Sequence, residues 1–416
     1  MKKSIRFCIL TLSILIAIFS TGKGQEAATE YQTIFDEICD IIQTNFYDSA
    51  FAAQQFPEIK SRYREQIIAA GNNVKFELTI ENMLRELKTS HTAYYSPNDP
   101  AYYQLAAIFH FVPAVKSLFN DADICYPTVG IITEKIDGKP FIVSVLSGSP
   151  ADSSGFLAGD EIVSVDGKPF TPVLSLKGKI SQAVLFKIRR TPDGSPIDIR
   201  VKPVMINPKE EYLNAEKASV EVIEKSGFKI GYIHIWSYAG KEYHQAFLDA
   251  ITTGKLKNTD ALIWDLRYGW GGADPAYLDV FNPHVPRLKM ISRDGEASDF
   301  DSHWRKPVVM LTNKTVRSGK EVLAYAFKKY RLGTVMGERT AGAVVAGKLF
   351  ALSNKSILYL AVKDARVDGE RLEGSGVLPD VLVPVDIRYR QGIDLQKKSA
   401  LTYLKNILSN RNLGEK

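Results

Sequence analysis

The sequence predicts a multidomain α/β chain. Three observations carry that prediction. Apolar residues recur at helical spacing near the N-terminus, short β-runs separated by turn dipeptides fill the middle, and strand-like runs alternate with helix-like ones in the C-terminal half. With 416 residues there is room for two or three domains of roughly 100–200 residues each. Hydrophobic residues at 45% and charged residues at 24% are ordinary for globular proteins. They exclude a disordered chain, a collagen-like repeat and a polytopic membrane protein.

The first residues read as a leader. Lys2, Lys3 and Arg6 precede an apolar run from Phe7 to Phe19, and Ser20, Thr21, Gly22 and Gly24 follow. A basic start, a short apolar stretch and small residues describe a secretory signal peptide over residues 1–24. Its apolar run, about 13 residues, is shorter than the roughly 20 that cross a hydrocarbon core. No stable membrane span is expected after cleavage, and the mature protein is expected in the periplasm or secreted. The net charge is +6, but the leader holds four bases and no acid; 49 basic and 47 acidic residues then leave +2. Such a surface gives no reason to expect a nucleic-acid partner. Beyond the leader only Cys39 and Cys125 remain, either a pair or two free thiols. No Cys/His cluster has ligand spacing, so neither metal nor cofactor is expected.

Residues 25–104 read as an N-terminal helical domain. Ile34, Phe35, Ile38, Ile41, Ile42 and Phe46 share one helical face, as do Phe76, Ile80, Met83, Leu84 and Leu87. Tyr94 to Tyr103 reads as a packed connection. Residues 105–206 read as a β domain. Its strand-like runs are Val129–Ile132, Phe141–Val145 and Glu161–Val165, with Asp137-Gly138, Asp166-Gly167 and Asp193-Gly194 as turns. Residues 207–416 read as an α/β core. Lys229–Trp236, Ala261–Leu266, Pro307–Leu311, Thr334–Gly337 and Ile357–Val362 are its strands, Gly319–Tyr330 a helix, and 393–410 a closing amphipathic helix.

Two local patterns could carry chemistry. In Thr315-Val316-Arg317-Ser318-Gly319-Lys320-Glu321 a serine stands between a strand and an apolar-periodic helix. Free first-turn amides and the helix dipole favour negative charge there, which suits a nucleophile. Equally, Ser318 is a plain N-cap with Glu321 completing a capping box. In Trp264-Asp265-Leu266-Arg267-Tyr268-Gly269-Trp270-Gly271-Gly272 a strand runs into glycines whose amides can approach a ligand, or which simply turn the chain. Among the histidines His234 reads as structural within a strand, His110 sits in an apolar run, and His91 follows Ser90 at a helix end.

Ser147-Gly148-Ser149-Pro150-Ala151, Gly155-Phe156, Gly159-Asp160-Glu161-Ile162 and Asp166-Gly167 recur in an order that resembles a PDZ domain. That resemblance implies an extended peptide added at a sheet edge, its terminal carboxylate held by the amides of Val129, Gly130 and Ile131. A β domain that only packs is the alternative. Arg317-Ser318-Gly319-Lys320-Glu321, Gly337-Glu338-Arg339-Thr340-Ala341-Gly342, Gly376-Val377-Leu378-Pro379-Asp380 and Asp265-Leu266-Arg267 with Gly271-Gly272 resemble the C-terminal-processing and tricorn-core serine peptidases.

The second resemblance implies a crotonase-like α/β peptidase core, with Ser318 as nucleophile. It implies an oxyanion hole from the amides of Gly319 and of Gly271 or Gly272. In the processing branch a lysine base follows the threonine-glycine motif; by register Ala343 stands there. The tricorn-type pattern fits instead: Ser90-His91 as the serine-histidine pair and Glu373 as the carboxylate. Lys320 and Lys348 remain the alternative bases. The expected partner is a polypeptide substrate, with a peptide C-terminus at the PDZ-like domain. A catalytically silent relative that binds peptides or other ligands is the competing reading.

Overall fold

The computed structural model describes residues 29–414. The leader and its cleavage point lie outside those residues. The chain forms two compact units. The first comprises residues up to Pro97, Phe111–Asn120 and Val345–Asp364; the second comprises Asn98–His110, Asp121–Val344 and the chain from Ala365 onward.

In the first unit a helix over 29–45 is followed by helices Ser49–Gln54, Phe56–Ile68 and Asn73–Arg85. Asp48 and Asn72 cap two of them, accepting from the amides of Phe51 and Lys75. Ile34, Phe35, Ile38 and Ile42 are buried with Phe76, Ile80, Met83 and Leu84 as the helical spacing predicts. The unit also holds a three-stranded antiparallel sheet, in which Ile357–Lys363 lies between Ala93–Tyr95 and Ala346–Ala351. The sequence reading assigned this hairpin to the C-terminal core. Leu358, Leu360 and Ala361 instead bury against the helical cluster. Burial of that apolar face and the pairing with Ala93–Tyr95 decide its place, and neither leaves a local signal.

Residues 98–110 depart from the reading in the other direction. Pro100–Ile108 is a helix of the second unit, opened by proline where no intrahelical donor is needed.

The β domain of the second unit is a five-stranded antiparallel sheet. Its strands run in sequence order from Ile131–Ile136 through Lys139–Val145, Glu161–Val165 and Val184–Arg189 to Ile197–Val201. Val129, Ile142, Phe156, Ile162, Phe186 and Ile188 form its core. The first strand is an edge, with one side left for pairing.

The α/β core is a six-stranded sheet. From one edge the order is Val381–Leu382, Thr334–Gly337, Val308–Thr312, Ala261–Asp265, Phe228–His234 and Glu221–Lys225. All neighbours are parallel except the last pair. Ala261–Asp265 and Val308–Thr312 are buried throughout, as strands covered on both faces are. The helix Leu395–Gly414 covers one face, packing Ala400 and Leu404 on Ile263, Val309 and Leu311. On the other, Phe247 and Phe327 pack on Trp264. Among the described residues no helix is long and apolar enough to cross a membrane. Cys39 and Cys125 are both free thiols.

Candidate active site

Ligands of open α/β sheets bind beyond the carboxyl ends of the strands. Two such ends meet here. Val308–Thr312 leads into Asn313–Ser318 and then the helix Gly319–Lys329. Ser318 has φ 57° and ψ −135°, a region that costs a side-chain-bearing residue about 1–3 kcal/mol. Its N–H donates to the Ala343 carbonyl at 2.7 Å, and its own carbonyl accepts from Glu321 N at 2.8 Å.

The capping box does not form. Ser318 makes no side-chain cap hydrogen bond. Glu321 turns inward, and one of its oxygens accepts from Thr340 Oγ1 and the Gly342 amide, the other from the Ala343 amide. Burial raises its pKa, opposed by those donors. The Glu321 carboxylate is therefore committed elsewhere, and the Ser318 hydroxyl does not cap the helix start.

The second end is the strand Ala261–Asp265 running into the glycine loop. Arg267 is buried and anchors it, donating to Asp265, Asp394 and Gln396. The Asp394 carboxyl is held far below the usual carboxylate range by Arg267, against its own burial. Gly269 has φ 67°, and a β-carbon there would lie 1.9 Å from the Trp236 carbonyl oxygen, so only glycine fits. A β-carbon on Gly271 would lie 2.6 Å from Ser318 Cβ and 3.1 Å from Gly319 N. Gly271 thus packs directly on the serine turn. Gly272 faces Ala239 instead. Gly319 opens its helix, where the first amides have no intrahelical acceptor.

Lys320 ties these loops together. Its Nζ donates to the carbonyls of Ile235, Trp236, Leu266 and Tyr268 at 2.7–3.1 Å. Burial pushes it down to about 7, opposed by the charges of Asp265 and Glu216. A side chain committed to four acceptors offers no lone pair to a substrate, so Lys320 drops out as a base. Nothing in a lone lysine of a first helical turn announces this role.

The remaining expected residues divide between the units. In the first, Ser90 and His91 lie in an irregular stretch beyond the helix that ends at Arg85. His91 has φ 53°; Ser90 Oγ lies 2.9 Å from its Nδ1, and its ring packs 5.3 Å from that of Tyr359. Lys348 Nζ lies over the ring of Phe350. In the second unit, Glu373 accepts from the Val344 amide at 2.8 Å, and its charge adds to the upward push on Glu321. His234 is structural: it is buried, bonds to the Arg267 carbonyl, stacks on Trp236 and is pushed by burial to about 4.

Residues 229–383 match the model of peptidase family S41, residues 127–201 that of the PDZ domain, and residues 27–85 that of the tricorn protease C1 domain. The chain is a family S41 peptidase. It is 23% identical over 424 residues to a carboxyl-terminal-processing protease of Synechocystis sp., covering 95% of this chain and 94% of that one. It is 26% identical over 396 residues to the tricorn protease of Thermoplasma volcanium, spanning 89% of this chain and 36% of the relative. The crystal structure of the tricorn protease shares the fold, with a TM-score of 0.52, 20% identity and coverage of 92% of this chain and 37% of that one.

In this S41 peptidase the PDZ loop departs from expectation at one position. The Gly130 amide donates to Thr128 Oγ1 at 2.9 Å, and Thr128 Oγ1 donates to Glu211. That amide is therefore not open to a peptide carboxylate. A side chain on Gly130 would collide with Ser149. Glu211 also accepts from Tyr126 OH, and burial raises it to about 7. Val129 and Ile131 line a cavity of about 400 Å³ that Tyr268, Gly269, Trp270 and Arg317 also line. The PDZ groove and the turn carrying Ser318 thus border one space.

Proposed function

We propose that this S41 peptidase is an exported serine endopeptidase that cleaves polypeptides through an acyl-enzyme on Ser318. In this reading His91 takes the Ser318 proton as the hydroxyl attacks the scissile carbonyl. It then returns the proton to the leaving amine. Ser90 at Nδ1 orients the ring, and Glu373 stabilises the imidazolium. The amides of Gly319 and of Gly271 or Gly272 receive the negative charge of the tetrahedral intermediate. Water then hydrolyses the acyl-enzyme through the same histidine. The PDZ domain engages the substrate as an added strand. The leader-like residues 1–24 support export.

One observation carries the reading: Ser318 holds a costly backbone conformation at a helix start, with its hydroxyl released from capping. A fluorophosphonate probe tests it. Wild-type protein is expected to label and to digest casein, and Ser318→Ala to do neither. Equal labelling of both forms sinks the assignment. A folded wild-type protein that neither labels nor digests casein is a catalytically silent binder.

A further inference from the structure

We propose that Glu211 is a positioning residue of the peptidase site: its carboxylate ends two hydrogen-bond chains, one holding Trp270 in the glycine loop and the other holding Gly130 in the PDZ loop. The proposal rests on the peptidase reading of Ser318 and adds a proton-dependent control of that site.

The first chain starts at Trp270. Its Nε1 donates to Gln104 Oε1 at 2.8 Å, Gln104 Nε2 donates to Tyr126 OH at 3.5 Å, and Tyr126 OH donates to Glu211 Oε2. The second starts at the Gly130 amide, which donates to Thr128 Oγ1 at 2.9 Å; Thr128 Oγ1 donates to Glu211 Oε1 at 3.0 Å. Every hydrogen in both chains points towards Glu211. Neither chain can be reversed, because an indole N–H and a backbone N–H only donate. The meeting point therefore needs two oxygens that only accept, and an ionised carboxylate has them. Tyr126, Thr128 and Glu211 are all buried, so a broken link there is costly.

A proton on Glu211 is one hydrogen too many. On the Tyr126 side it turns the phenol hydrogen against the Gln104 nitrogen. Flipping the amide to accept that hydrogen sets its nitrogen against the Trp270 N–H instead. On the Thr128 side it turns the hydroxyl hydrogen against the Gly130 amide. The loosening at Trp270 reaches Ser318 by two routes. The next residue, Gly271, packs on the serine turn, and the Arg317 guanidinium carbon lies 5.7 Å from the centre of the Trp270 ring.

The titratable groups facing Glu211 are tyrosines. They are Tyr126 with Tyr103 stacked on it, Tyr212 on the same helix (Pro208–Ala218), and Tyr243 from the helix Lys241–Thr252. Burial raises all four, so they keep their hydrogens at neutral pH. Of the nearby charges Glu210 is exposed, and Lys209 pairs with Glu242 at 3.2 Å. Burial raises Glu211 itself to about 7, against the pull of the Tyr126 and Thr128 hydroxyls. Both chains are therefore complete above that pH and interrupted below it.

Tryptophan emission between pH 5 and pH 9 tests this on the full chain carrying Ser318→Ala, where no turnover interferes. One step is expected as pH falls through about 7. His234, stacked on Trp236, is pushed to about 4 and stays outside this range. Trp270→Phe is expected to remove the step, and Gln104→Leu to remove it by cutting the first chain. Glu211→Gln carries a donor at every pH and is expected to hold the low-pH emission throughout. With Ser318 restored, Glu211→Gln is expected to lower kcat roughly 10-fold or more at pH 8.5, the scale of a displaced site. A flat curve in the Ser318→Ala chain overturns the proposal, and so does a step that survives Trp270→Phe; neither needs a Glu211 variant to fold. A folded Glu211→Gln that keeps the step, or keeps wild-type kcat, overturns it too. A step that Glu211→Gln abolishes, in a protein whose wild type shows no turnover, would sink the peptidase reading and leave Glu211 as the group that holds Trp270.

Discussion

Ala343 holds Ser318 through its backbone: the Ala343 carbonyl accepts the Ser318 N–H at 2.7 Å, and the Ala343 N–H donates to Glu321 at 2.6 Å. The resemblance implies a lysine base at this position in the processing branch, the pattern from which this sequence departs with Ala343. Here the position has a backbone role. It links the strained turn to a buried carboxylate that also receives Thr340 and Gly342. The strain at Ser318 is thus held by several hydrogen bonds behind it.

Ser318→Ala is expected to cost on the order of 10⁴ or more in turnover. Its melting temperature should stay close to wild type, because no cap is lost. Replacing a functional N-cap by alanine would instead cost about 1 kcal/mol. Ser318→Gly should be equally inactive and at least as stable, since glycine tolerates φ near 57°. Thermal melts of the three proteins decide. A marked loss of stability in the alanine form would restore the capping role.

Glu321→Ala should damage fold and activity together. It strands three donors, Thr340 Oγ1 and the amides of Gly342 and Ala343, in a buried site. Each unsatisfied group costs about 1–3 kcal/mol. Urea unfolding should show a loss of several kcal/mol. A loss below about 1 kcal/mol would mean that the turn does not depend on this brace.

The serine turn and the glycine loop were legible because each is a local pattern, a strand running into small or polar residues. The helices of the first unit were legible from spacing alone. Lys320 was not, because its four acceptors come from residues 235, 236, 266 and 268, brought together only by adjacent parallel strands. The hairpin 346–363 was misassigned for a similar reason: its partners lie some 260 residues earlier in the chain. Gly130 read as an open amide because the competing acceptor, Thr128 Oγ1, is visible only in three dimensions.

Lys320→Met keeps the volume of the buried side chain and removes its donors. Four carbonyls then lose their partner, and the loops at Trp236 and Tyr268 lose their tie. A destabilisation of about 3–5 kcal/mol is expected, with activity falling in step. Chemical denaturation measures the first and casein digestion the second. A stable variant lacking only activity would point back to a catalytic amine.

Glu216 gives a pH dependence of known sign. It is fully buried, neither carboxyl oxygen has a hydrogen-bond partner among the described residues, and burial raises it to about 9. The unfolded chain releases this proton near 4.5, while the folded chain keeps it until about 9. Between those values the unfolded state binds fewer protons, so stability falls as pH rises. Glu216→Gln removes the effect. Its stability relative to wild type should improve by about 1–3 kcal/mol from pH 5 to pH 8. Parallel unfolding curves for the two proteins at both pH values would contradict this.

The base is the sharpest test of the proposed chemistry. Lys320 is committed to four carbonyls, Ala343 carries no basic group, and Lys348 lies against Phe350. His91, with Ser90 at its Nδ1, is the candidate left by the resemblance. Activity should then rise with pH as the histidine loses its proton. The sign follows from the role, since only the neutral ring accepts the Ser318 proton. His91→Ala should cost on the order of 10³ or more in turnover. Ser90→Ala should cost less, because it loosens the ring without removing it. Lys348→Ala should be nearly silent. The mutants decide where the pH profile alone is ambiguous, because a desolvated lysine base titrates at about 7–8. Near-wild-type activity of His91→Ala beside an inactive Lys348→Ala would move the protein to serine–lysine chemistry.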